Sequence, residues 1–170
     1  DLMEKVVTVN DVEKALTACH KYGVFSPINI MLGMPGEDES TAKETGEFIG
    51  RMASKLGVHL KWISHDTMWA LPLPGTPLWE YGEQLGVIGK NDHDIVDYLT
   101  RVSDAGCFRR YYINLNGAPI SEVCFWEHLV FFEASRTFHK LNNVNKEMTK
   151  KYKEVKGTVN SANPRTSLRY

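Results

Sequence analysis

The chain has 170 residues, 42% hydrophobic and 24% charged, with a formal net charge of -1. That length supports one folded domain with a real core, and the composition is ordinary for a soluble globular protein. The balanced charge argues against a strongly electrostatic partner such as duplex DNA. No apolar run reaches bilayer length, and no signal-peptide pattern opens the sequence, so the expected location is cytoplasmic.

Residues 1–8 are mixed, with Met3, Val6 and Val7 as apolar anchors. Asn10 or Asp11 can cap a helix whose buried face is Val12, Ala15, Leu16 and Cys19, and Gly23 ends it. His20 near its end suits a surface position at the negative pole of the helix. Residues 24–33 read as a strand. The run Ile28-Asn29-Ile30-Met31-Leu32 stops abruptly in Gly33-Met34-Pro35-Gly36-Glu37. Apolar runs of this length bounded by Gly and Pro suit a strand covered on both faces. Gly33 and Gly36 allow positive φ or close approach of a ligand, Pro35 stiffens the turn, and Glu37 sets a carboxylate at its mouth. A tight strand-to-helix turn with no ligand explains the same residues equally well.

A helix over residues 38–56 follows. Thr41-Ala42-Lys43-Glu44 matches a capping box, Phe48, Ile49, Met52 and Leu56 form the core stripe, and Gly57 closes it. Residues 58–71 contain a second strand, in which Leu60, Trp62 and Ser64 alternate with His59, Lys61 and Ile63. His65 and Asp66 fall toward its functional end, where substrate contact and rim hydrogen bonding are equally good readings. Met68 and Trp69 read first as core and second as the wall of a cofactor pocket. The strand runs into Leu71-Pro72-Leu73-Pro74-Gly75-Thr76-Pro77-Leu78, with Thr76 as N-cap and Pro77 as first residue of a helix through Leu85. Two Pro/Gly-rich turns one βα unit apart would lie side by side at one end of a parallel sheet or barrel.

Asn91 or Asp92 starts a further helix with Ile95, Tyr98, Leu99 and Val102 on its apolar stripe, ended by Gly106. Residues 109–115 read as a short strand. Its Arg109-Arg110 pair suits solvent, or an anionic group. Asn116-Gly117 is a turn. Residues 120–144 are strongly helical. Phe125, Trp126, Leu129, Val130, Phe131, Phe132 and Phe138 cover more than one face, as in a helix buried on several sides or packed against another domain. Beyond residue 145 the Lys-rich stretch reads as a fraying helix, and residues 157–170 as a disordered tail.

The two turns, Gly33-Met34-Pro35-Gly36-Glu37 and Pro72-Leu73-Pro74-Gly75-Thr76-Pro77-Leu78, resemble in order and spacing the second half of a radical S-adenosylmethionine (SAM) enzyme core. The resemblance covers residues 2–88 and is nearest to the subgroup that often carries an upstream cobalamin-binding domain. It implies the C-terminal part of a partial (β/α) TIM-like barrel over residues 1–90, followed by a helical C-terminal region over 91–156. It implies SAM and a [4Fe–4S] cluster as cofactors, with cobalamin entering only through a missing upstream domain. SAM would be cleaved to a 5′-deoxyadenosyl radical that abstracts hydrogen from a small-molecule substrate. By the same resemblance, Ile30, Gly33 and Glu37, with Leu73, Pro74 and Gly75, would contact the SAM adenine. Glu37 has a second reading, holding its turn by accepting backbone N–H groups.

The family holds its cluster through three clustered cysteines after the first barrel strand. Here Cys19, Cys107 and Cys124 are scattered, and read best as small buried hydrophobes. The expectation is therefore the C-terminal part of a longer enzyme, inactive as an isolated fragment and completed by an N-terminal half that carries the cluster. A relic that has lost the cluster is the alternative. Two others are a non-catalytic module docking a partner through the Phe125–Phe138 helix, and an iron-free TIM-barrel enzyme binding phosphate at its turns. The histidines show no H-E-x-x-H pattern, and no nucleophile elbow or Walker loop is present.

Overall fold

The computed structural model describes residues 6–89, 91–103 and 113–161. In chain order the elements are α1 (Val9–Lys21), β1 (Ile28–Leu32), α2 (Glu39–Leu56), α3 (Leu60–Ile63), β2 (Ser64–Trp69), α4 (Pro77–Gln84), α5 (Asp92–Ser103) and α6 (Ile120–Ser161). The architecture is mixed α/β, mostly helical, around a two-stranded parallel sheet. Cα partners are Ile28↔Ser64, Ile30↔Thr67, Met31↔Met68 and Leu32↔Trp69. Between the first two pairs the register shifts, so Asn29 stands against two residues of β2 in a bulge. The Ala70 N–H extends the ladder to the Leu32 carbonyl at 2.7 Å.

One face of the sheet builds the main core. Ile30, Leu32 and Trp69 pack with Ile49 and Ala53 of α2 and with Val123, Trp126, Val130 and Ala134 of α6. The two helices run parallel. Gly46 lies against residues 130–134, Gly50 against 134–138, and Ser54 Oγ donates to Asn142 Oδ1 at 3.3 Å. Glycines at 46 and 50 allow this approach. A Cβ on Gly50 would stand 2.5 Å from the Ala134 carbonyl oxygen, and one on Gly46 would collide with the Val130 carbonyl. Beside this contact Glu133, 6% exposed, accepts from Arg136 Nε at 2.6 Å, and Arg136 also reaches Glu47 at 3.4 Å. A smaller cluster of Trp79, Ile88 and Tyr98 ties α4 to α5. The α6 helix supplies much of the wall under β1, so residues from both sides of residue 90 contribute to the main cluster.

Several elements differ from the sequence expectation, each for a local reason. The α1 cap is Thr8, not Asn10 or Asp11. The Thr8 side chain accepts from the Asp11 N–H, and the Asp11 carboxylate returns the bond to the Thr8 N–H at 3.1 Å. Val6 and Val7 are exposed rather than anchoring, and on the α1 face only Leu16 is buried. The strand starts at Ile28, not residue 24, since Pro27 has no N–H to give a ladder. Asp38 caps α2, with Thr41 as its capping-box partner, so the expected box beginning at Thr41 is one turn too late. Residues 60–63 form a helical turn instead of strand. The Trp62 N–H bonds the His59 carbonyl at 2.8 Å, and the indole lies on the surface against Phe25. The α6 helix continues to Ser161, so residues 157–161 are helical. The expectations for Cys107, Arg109 and Arg110, and for residues 162–170, lie outside the described residues.

Candidate functional site

Two turns leave the carboxyl ends of β1 and β2, which are hydrogen-bonded neighbours running in the same direction. In parallel sheets this is the end at which ligands collect. The turns share one design. In Met34-Pro35-Gly36-Glu37 the Glu37 N–H bonds the Met34 carbonyl at 3.1 Å, and Gly36 has φ 82°. In Leu73-Pro74-Gly75-Thr76 the Thr76 N–H bonds the Leu73 carbonyl at 3.1 Å, and Gly75 also has φ 82°. Proline second and a positive-φ glycine third mark both as type II turns. A Cβ on Gly36 or Gly75 would meet nothing within 4 Å, so backbone conformation alone requires glycine there. Each turn hands the chain directly to a helix N-cap. Asp38 opens α2, and Thr76 opens α4 by accepting from the Trp79 N–H at 3.2 Å.

Side chains then lock the turns. Glu37 Oε2 accepts from the Gly33 N–H at 2.5 Å, and the carboxylate also accepts from the Met34 backbone. Burial pushes the Glu37 carboxyl above its ordinary value, and these two hydrogen bonds oppose the push. The buried Tyr98 hydroxyl of α5 donates to the Pro72 carbonyl at 2.7 Å and anchors the second turn from beneath. Met34 packs against Ala70, Leu78 and Leu115, so the first turn rests on residues that follow β2.

The six residues named from the sequence take different places. Gly33 is buried with φ 85° and bound to Glu37, which is the turn-holding arrangement for that carboxylate. Leu73, Pro74 and Gly75 are exposed at the tip of the second turn, Leu73 at 48%. Ile30 is 6% exposed in the core under α2 and α6. Its side chain faces the helices, as does that of Leu32, and neither lines an open slot. The open face of the strand is carried instead by Asn29 and Met31, the latter 41% exposed. Trp69 is core, and the side chains of His65 and Asp66 lie outside the described residues. Met34, within the first turn motif, packs that turn down, and Tyr98, which sequence reading did not connect with the site, holds the second. The i, i+3, i+4 stripe of α5 signalled that Tyr98 was buried but not what its hydroxyl would meet.

Among the described residues, the cysteines stand too far apart in the fold to share an iron–sulfur cluster. Cys19 sits on α1 and Cys124 on α6, both half-buried, and no three ligating side chains converge among the described residues. A separate groove of about 280 Å³, lined by Leu16, His20, Phe25, Val58 and Trp62, opens before the start of β1, away from both turns. No family model, curated protein or solved structure matches the chain.

Proposed function

We propose that this chain is the C-terminal part of a radical SAM enzyme that works on a small-molecule substrate. It supplies backbone contacts to the SAM adenine and part of the wall of a partial (β/α) barrel. The observation that carries the reading is the pair of Pro-Gly type II turns at the carboxyl ends of two adjacent parallel strands. Gly33, Glu37 and the exposed Leu73-Pro74-Gly75 tip are the contacts in this reading, with Ile30 acting from behind as support for the strand. Among the described residues the parallel sheet has two strands, and Met31, on the face away from α2 and α6, is 41% exposed, which in this reading is the face turned to the rest of the barrel. The cluster, which supplies the electron for SAM cleavage, would be held by thiolates from the missing N-terminal half, and cobalamin, if used, by an upstream domain. No described helix is long and apolar enough to cross a membrane, and a cytoplasmic enzyme is part of the proposal.

The test uses the intact protein, purified without oxygen. Iron near four per polypeptide, with reductant-dependent conversion of SAM to methionine and 5′-deoxyadenosine, is the expected result for a [4Fe–4S] enzyme of this kind. A coding region upstream of Asp1 without a C-x-x-x-C-x-x-C motif, together with no SAM cleavage, would overturn it. A second reading draws on α6, where Phe125 is 51% exposed and Phe132 62% exposed. These rings favour a non-catalytic module that docks a partner on this helix. SAM-dependent protection of the intact protein against proteolysis separates the two, because the module predicts none.

A further inference from the structure

We propose that the outer face of α6 is the interface of an antiparallel homodimer, in which α6 of one copy lies against α6 of a second around a two-fold axis. The inference stands on α6 and its neighbours, and holds whether or not the chain is part of a radical SAM enzyme. At about 100° per residue, Ser121, Phe125, His128, Phe132, Ser135 and His139 share the face opposite Val123, Trp126, Val130 and Ala134, which are buried in the main cluster. Phe125 is 51% exposed, Phe132 62%, and Phe131, at the edge of the same face, 42%. The spacing is self-complementary. Turned end for end about a point between His128 and Leu129, the face lays Phe125 on Phe132 of the second copy and Phe132 on its Phe125. A two-fold contact requires that reciprocity.

The length and charge of α6 favour a second copy over an unrelated protein. The seam with α2 reaches Asn142 through Ser54, and α6 runs on to Ser161, about 28 Å further at roughly 1.5 Å per residue. Residues 143–161 carry five lysines and two glutamates. In the antiparallel pair Asn142 of one copy comes level with Leu115 of the other, and Leu115 lies in one buried cluster with Leu78 of α4. The basic extension is thereby carried to the end of the second copy where α4 and α5 bring Glu80, Glu83, Asp92, Asp94 and Asp97, with Arg101 as the only lysine or arginine of those two helices. Opposite charges meet at both ends of the pair, which fixes its antiparallel sense. Area leads to the same partner. Three half-exposed Phe rings supply roughly 300 Å² per copy, short of the roughly 800 Å² per partner of a stable interface. The extensions supply the difference, and a contact of this size and polarity dissociates at about 10 μM.

Sedimentation velocity of the intact protein over a concentration series should show monomer and dimer in exchange, with association weakened several-fold as NaCl is raised from about 0.1 to 0.5 M. Phe125→Glu and Phe132→Lys should each weaken the dimer about a hundredfold, because the two-fold axis counts every substitution twice. Mixing the two variants should restore association to within about tenfold of the unsubstituted protein, since the mixed pair sets the introduced carboxylate against the introduced ammonium and keeps one Phe–Phe contact. Thermal unfolding of both variants, measured at a concentration where the unsubstituted protein is monomeric, should match it, as both rings are exposed. A monomer at every concentration, a dimer that neither variant weakens, or variants that stay apart when mixed would overturn the two-fold α6 interface. Variants of a monomeric protein that unfold earlier would also overturn it, and would assign the face to another part of the same polypeptide. SAM cleavage is read separately, so either result leaves the radical SAM reading to its own test.

Discussion

Replacing Gly50 by alanine sets two effects against each other in the α2–α6 contact. In an exposed helix interior the change would stabilise the fold by about 1 kcal/mol, through helix propensity and a stiffer unfolded chain. Here the new Cβ would lie 2.5 Å from the Ala134 carbonyl oxygen and 2.8 Å from Thr137 Cβ. The first of these is backbone and cannot rotate away. Reaching the 3.4 Å of ordinary van der Waals contact means parting the helices by about 0.9 Å along a tightly packed seam. Overpacking of this kind costs roughly 1–3 kcal/mol, and the interior loses further contacts as α6 lifts from β1. The expected net change is destabilisation by about 2 kcal/mol, a fall in Tm of roughly 4–8 °C for a chain of this size. Urea unfolding followed by circular dichroism at 222 nm reads it, and Gly46→Ala, which would meet the Val130 carbonyl, should behave alike. If Gly50→Ala is neutral, or gains the 1 kcal/mol of helix propensity, then α2 and α6 do not pack face to face through these glycines.

Three further outcomes test the site and its supports. Tyr98→Phe leaves the Pro72 carbonyl buried without its 2.7 Å hydrogen bond. It should cost about 1–2 kcal/mol in urea unfolding and speed proteolysis at the second turn. Removing the guanidinium by Arg136→Ala strands the Glu133 carboxylate, 6% exposed, at the helix seam. A loss of about 3 kcal/mol at pH 7 is expected, partly restored by adding Glu133→Gln. Glu37 titrates above its ordinary value of 4.5 in the fold because burial disfavours the charge. A raised folded pKa for an acid means that the stabilising contribution is complete below the unfolded value and is lost as pH rises through the folded one. Glu37→Gln keeps an oxygen to accept the Gly33 N–H, so the stability difference between the two proteins should shift in favour of the glutamine as pH is raised from 4 to 7. A difference flat with pH would show that the carboxyl is not desolvated.

The helices and turns were legible in the sequence because their signals are local. Thr76-Pro77, Gly57 and Gly86 mark helix ends through backbone conformation and capping, which depend on a few neighbouring residues. The two Pro-Gly turns were visible for the same reason, and their parallel adjacency followed from one βα unit of spacing. The alternation around Leu60 and Trp62 misled, since period-two polarity is shared by a strand and by a short exposed helical turn. What chain order could not supply was contact between distant segments. The Gly46/Gly50 seam needs α6, more than seventy residues away in sequence, to explain why two glycines sit inside a helix. Only the tertiary structure decided that Ile30 faces the helices and Met31 the open side. A strand alternates with the same period whichever face is buried, and the helix layer chooses the phase. Glu37 was left with two roles by the sequence, and the fold closes it onto the Gly33 N–H because the type II turn between them brings carboxylate and amide together.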